Sequence, residues 1–111
     1  MNTEPDDAPD LLPAEVQALQ RAGALLVDVR ELEEWNAGRI AGATHLPLSE
    51  LPQRWQELPD ADQTVFVCRS GARSRSATDA FTAAGRPGCA NLLGGCQAWV
   101  QAGLPFDGHV A

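Results

Sequence analysis

Residues 64–85, TVFVCRSGARSRSATDAFTAAG, set an apolar run against a cysteine, three arginines and several hydroxyls. Thr64–Val67 is a β-branched and aromatic run of the kind that forms a buried strand. Residues 74–84 carry helical spacing and stop at Gly85, a residue suited to the left-handed conformation that ends helices. Cys68 falls between the two. In open α/β sheets ligands bind beyond the carboxyl ends of the strands, so this order places Cys68 at the functional edge. Gly71 allows a short loop to turn several N–H groups inward as an anion-binding nest, and the helix start adds unpaired donors. Free cysteine is only a few per cent thiolate at neutral pH, and a helix N-terminus with arginines at 69, 73 and 75 lowers its pKa. The pattern predicts a reactive thiolate beside a site for a small anion.

Working outward, residues 25–29 (LLVDV) form a second candidate strand, residues 90–93 (ANLL) a third and residues 43–45 a short fourth. Helical patterns occupy Pro13–Arg21, 31–37, 49–58, 74–84 and 96–102. Pro13 suits a first helical turn, where its missing N–H costs nothing. Such alternation predicts an α/β fold, a mostly parallel sheet with helices on both faces.

Composition limits the remaining classes. A chain of 111 residues is near the commonest size of one domain, and 44% apolar with 21% charged residues is ordinary globular usage. The net charge of −7, with no lysine, argues against nucleic-acid or anionic-membrane partners, which need an extended basic surface. No apolar run approaches the ~20 residues of a membrane-spanning helix. Residues 1–10 read as a flexible acidic lead-in without the features of a secretory signal, and residues 11–107 as the folded unit. Three unevenly spaced cysteines fit a reducing cytoplasm better than a disulfide framework. No Cys-x-x-Cys motif occurs and neither histidine has a partner nearby in sequence, so no metal is expected.

Three segments carry a family resemblance: LLVDVRELEEWNAGRIAGATHLPL, CRSGARS and NLLGGCQAWVQAGLP. They resemble, in order, the first signature, the active-site loop and the C-terminal signature of single-domain rhodanese-like sulfurtransferases. The resemblance implies a five-stranded parallel sheet, its first strand near Leu11 and Leu12. It implies no cofactor and a two-step relay. The Cys68 thiolate takes the outer sulfur of thiosulfate or a related anionic donor as a persulfide, releasing sulfite, and an acceptor (a thiol, cyanide or a thioredoxin-like protein) then removes it. A sulfur-carrier or regulatory module serving one protein partner is the alternative. The loop residues Arg69, Ser70, Gly71, Ala72, Arg73 and Ser74 are expected to bind substrate, the N–H groups holding the persulfide and Arg69 and Arg73 the donor's oxyanion. The fold also serves phosphatases and arsenate reductases, whose loops have five residues between cysteine and arginine; four separate Cys68 from Arg73 here. The shorter cradle implies sulfur.

Asp28 and Arg30 end a strand at the same edge and are expected to shape the loop, with Arg30 pairing to Glu34 if that segment is helical. Trp35 and Trp99 suit core packing, and Arg39 stands where the family often has histidine. Cys89 reads as a buried residue. Cys96 also reads as a small core hydrophobe, although at a helix start an acidified thiol could take sulfur from Cys68.

Overall fold

The computed structural model describes residues 8–111. Five strands form one parallel sheet: β1 (Asp10–Leu11), β2 (Leu25–Asp28), β4 (Thr44–His45), β5 (Thr64–Val67) and β6 (Cys89–Leu92), in the spatial order β1-β6-β5-β2-β4. The helices α1 (Pro13–Arg21), α2 (Leu32–Ala37), α3 (Leu51–Arg54), α4 (Ala72–Ala83) and α5 (Gly95–Gln101) connect them. Two short strands, β3 (Gly38–Arg39) and β7 (Asp107–Gly108), pair antiparallel in a separate ribbon.

Alternation along the central strands creates two cores. Val27, Val29, Phe66 and Cys68 face one side, where Leu51, Leu58, Ala77 and Phe81 of the α3–α4 layer cover them. Leu26, Val65, Val67, Ala90 and Leu92 face the other, against Val16 of α1 and Cys96 and Trp99 of α5. Cys68 thus continues the face of Phe66, and its side chain lies under the start of α4 rather than above the sheet edge.

Several predicted elements differ from the structure, most of them by one or two residues at their ends. The helical pattern over 49–58 breaks into a 3-10 turn (Leu48–Glu50), α3 and a second 3-10 turn (Trp55–Glu57), because Pro52 has no N–H to return to the carbonyl of Leu48. The third strand runs Cys89–Leu92 rather than 90–93; Leu93, 47% exposed, keeps only an N–H bond to the Leu11 carbonyl at 2.9 Å. The first strand holds Asp10 and not Leu12. Residues 1–7 of the acidic lead-in lie outside the described residues; Asp10 pairs with β6 and its carboxylate accepts from Asn91 Nδ2 at 2.9 Å. The β3–β7 ribbon reaches Gly108, one residue past the expected boundary of the folded unit. No helix among the described residues is long and apolar enough to cross a membrane.

Candidate active site

Cys68 follows β5 directly and is fully buried. Its Sγ accepts hydrogen bonds from the Gly71 N–H at 3.1 Å and the Ser74 hydroxyl at 3.3 Å. The backbone N–H groups of Ser74 and Ser70 face it as well. Burial is the largest single influence on this thiol and pushes its pKa up, but the Ser74 hydroxyl and the Ser74, Gly71 and Ser70 N–H groups together outweigh it. The pKa lies below that of an ordinary cysteine.

The loop presents its N–H groups inward because its carbonyls are held outward. The Cys68 carbonyl accepts from the Cys96 N–H at 2.8 Å, and the Arg69 carbonyl from the Gln97 N–H at 3.1 Å. A trans peptide places its C=O and the next N–H on opposite sides, so the bond from Gln97 to Arg69 aims the Ser70 N–H at the sulfur. The Gly71 carbonyl accepts from Asn91 Nδ2 at 3.2 Å. Gly71 itself has φ +102°, and a Cβ there would sit 3.1 Å from the Gly94 nitrogen. Asn91, 2% exposed, was not singled out from the sequence; its role depends on β6 lying beside the loop, which no local pattern signals.

The arginines are arranged differently from the sequence expectation. The Arg73 fork grips the Glu34 carboxylate at 2.7 and 2.8 Å and does not stand open to a donor's oxygens. Arg69 turns toward α5 and the chain's last residues: Nε donates to the Ala111 carbonyl at 2.8 Å and Nη1 lies 3.0 Å from the Gln97 side-chain amide. Arg75 pairs with Asp79 and Asp10 at 2.6 and 2.9 Å. Ser70 and Ala72 are exposed at the mouth of the loop. The sulfur is therefore held by backbone and hydroxyl donors, with Arg73 close enough for it and a Cys68 thiolate to attract.

Asp28 and Arg30 form a buried ion pair, Nη2 to Oδ2 at 2.8 Å and Nε to Oδ1 at 3.0 Å. The expected Arg30–Glu34 side-chain pair is absent: Arg30 donates to the backbone carbonyls of Glu34 (3.3 Å) and Gly38 (2.7 Å). It thereby ties down the middle and the C-terminal end of α2 and leaves the Glu34 carboxylate to Arg73. Burying such a pair is costly, and its hydrogen bonds to carbonyls offset that cost by satisfying the remaining donors. Trp99 packs in the core, whereas Trp35 is half-buried, stacked on His45 with the Arg39 guanidinium 5.0 Å from its ring centre.

Cys96 lies beside the site, fully buried in the first turn of α5, and burial pushes its thiol up to about 12. This agrees with Cys96 as a small core hydrophobe and speaks against an acidified thiol there. Cys89 is raised as well, by burial. All three cysteines are free thiols. A cavity of about 640 Å³, lined by Trp55, Asp62, Phe81 and Arg86, opens toward the start of β5 and the end of α4, the edge opposite Cys68.

A family model for the rhodanese-like domain matches residues 12–102. A sulfurtransferase of Allochromatium vinosum is 42% identical over 82 residues, covering 74% of this chain and 77% of that protein. A candidate sulfur carrier protein of Bacillus subtilis is 35% identical over 74 residues, 67% of this chain; the match spans 40% of its length. The crystal structure of a rhodanese-related protein from Thermoplasma volcanium superimposes with a TM-score of 0.81 at 28% identity, covering 88% of this chain and 96% of that one. With this match over most of its length, a five-stranded parallel sheet and a cysteine loop at the sheet's carboxyl edge, the chain belongs to the rhodanese-like domain family.

Proposed function

We propose that the chain is a sulfurtransferase that moves sulfane sulfur through a persulfide on Cys68, from thiosulfate or a related donor to a thiol, cyanide or thioredoxin-like acceptor. The observation that carries this reading is the convergence of backbone and hydroxyl donors on one buried sulfur. Donors so placed favour the thiolate that attacks, and then the anionic persulfide that forms. With thiosulfate, the Cys68 thiolate forms a bond to the outer sulfur as that sulfur's bond to the sulfonate breaks. Sulfite leaves with the electron pair, and no external oxidant or reductant is needed. The acceptor thiolate repeats the exchange in the second half-reaction, so ping-pong kinetics are expected.

In this reading Cys68 is the nucleophile. The N–H groups of residues 69–74 and the Ser74 hydroxyl hold its charge, and Asp28 and Arg30 support the loop through α2. Four residues between Cys68 and Arg73 favour sulfur over the phosphate esters and arsenate that a wider loop would take. The likeness to a candidate sulfur carrier favours a second reading, a module that delivers its persulfide to a dedicated protein partner. Mass spectrometry before and after thiosulfate tests the intermediate: a gain of one sulfur, removed by cyanide and absent in Cys68→Ser, is expected. Rapid turnover with thiosulfate and a small thiol supports the enzyme; persulfide formation with negligible turnover supports the carrier.

A further inference from the structure

The arginine that the Cys68 thiolate attracts is not a free charge. Both arms of the Arg73 guanidinium are taken by Glu34, at 2.7 and 2.8 Å. Glu34 is itself fixed in place: its Oε1 accepts the Glu31 N–H at 3.1 Å, and Arg30 holds its carbonyl and that of Gly38. The Arg73 hydrogen bonds, against a smaller effect of burial, pull the Glu34 carboxyl down to about 2, so it is charged throughout the neutral range. The neighbouring arginines do not restore the lost charge. Arg30 is matched by Asp28 and Arg75 by Asp79 and Asp10, while Arg69 points toward α5. Glu31, capped by the Ser49 hydroxyl at 3.0 Å, and the exposed Glu33 add negative charge to α2 with no ion-pair partner among the described residues.

A nest of N–H groups holds one anionic sulfur but gives little reward for a second negative charge farther out. We infer that Glu34 is a specificity-determining residue. By holding the Arg73 fork it lowers the preference of the Cys68 loop for dianionic donors and favours organic persulfides, R–S–SH, whose leaving group is a thiolate. The inference rests on the sulfurtransferase reading and narrows its donor class. In the favoured reaction the Cys68 thiolate bonds the outer sulfur, the R–S bond to it breaks, and R–S⁻ departs, leaving Cys68–S–SH.

The first test needs no sulfur transfer. Alkylation of Cys68 by iodoacetate, an anion, is compared with that by iodoacetamide, which is neutral, in the wild type and in Glu34→Gln. The glutamine can still accept a hydrogen bond from Arg73 but lacks the charge. The iodoacetate-to-iodoacetamide rate ratio is expected to rise about threefold at low ionic strength and to fall back as salt screens the site. Arg73→Gln is the second variant, useful should the first fail to fold, and its ratio is expected to drop by a similar factor. An unchanged ratio in both overturns the inference. The second test compares kcat/KM for thiosulfate and for the persulfide of 2-mercaptoethanol, whose only charge is on the persulfide itself: Glu34→Gln is expected to shift the preference toward thiosulfate severalfold, through KM. Loss of thiosulfate turnover in Glu34→Gln in step with Arg73→Ala also overturns it, because Glu34 would then aim Arg73 at the donor. Failure of both donors to load Cys68 removes the sulfur-transfer reading, and the alkylation ratio still decides the electrostatic role.

Discussion

Cys68 and Cys96 are two fully buried thiols on adjacent turns of the same sheet edge, joined by a hydrogen bond between their backbones. Each lies close to a glycine in the left-handed region, Gly71 at φ +102° and Gly94 at φ +76°. One thiol is acidified and the other is pushed up to about 12. Burial penalises both, so burial is not what separates them. The Cys68 sulfur collects hydrogen bonds from Gly71 and Ser74, whereas the turn that holds Cys96 spends its N–H groups on the Cys68 and Arg69 carbonyls. The difference between the two thiols follows the direction of the Ser74 hydroxyl and a few peptide N–H groups.

The largest test of that contrast is exchange of each sulfur. Cys68→Ser is expected to lower persulfide formation about a thousandfold or more, whereas Cys96→Ala keeps activity per folded molecule within about twofold and costs about 1 kcal/mol of stability. Sulfur transfer slowed in its second half-reaction by Cys96→Ala, or a Cys68–Cys96 disulfide in peptide maps after mild oxidation, would break the contrast. Gly95→Ala comes next. Gly95 has φ +61°, and its Cβ would meet the Cys68 carbonyl oxygen and lie 2.6 Å from the Arg69 carbonyl carbon. A loss of about 2–4 kcal/mol in chemical denaturation, with slower alkylation of Cys68, is expected.

A finer measurement isolates one donor. Ser74→Ala removes the hydroxyl bond to Cys68, and the inflection in the pH dependence of iodoacetamide alkylation is expected to rise by about 0.5–1 unit. No shift would leave the acidified thiol to the backbone N–H groups alone. The smallest effect lies on the acid side. Glu34 titrates near 2 when folded against an ordinary 4.5, so its pair with Arg73 stabilises fully above about pH 4.5 and the contribution is lost as pH falls toward 2. The stability difference between wild type and Glu34→Gln, about 1 kcal/mol for this partly exposed pair, is expected to vanish across that window in urea titrations.

The sequence revealed the frame of the molecule better than its wiring. Pro13–Arg21 and Thr64–Val67 match their predicted bounds because proline, glycine and the apolar runs mark their ends locally. The β3–β7 ribbon has two residues per strand, too few for any periodicity, and joins segments far apart in sequence. The place of Cys68 was legible, since a residue between a strand and a helix has a fixed position in this fold class. The partners of the arginines were not: Glu34 is 39 residues from Arg73, and the same arginine-rich loop would read identically with its forks open. Positive charge in a sequence is a count, whereas in the structure it is a balance.

The three outward carbonyls of the loop, those of Cys68, Arg69 and Gly71, have one further consequence. They separate chemistry from recognition along the same few residues. The cradle is made of main chain anchored to α5 and Asn91, and the exposed side chains at 69, 70 and 72 take no part in it. Those three side chains can change while the main chain around the Cys68 sulfur keeps its shape. Under the proposed function, natural variation in this loop therefore has room to change what meets the site without rebuilding the hydrogen bonds to Cys68.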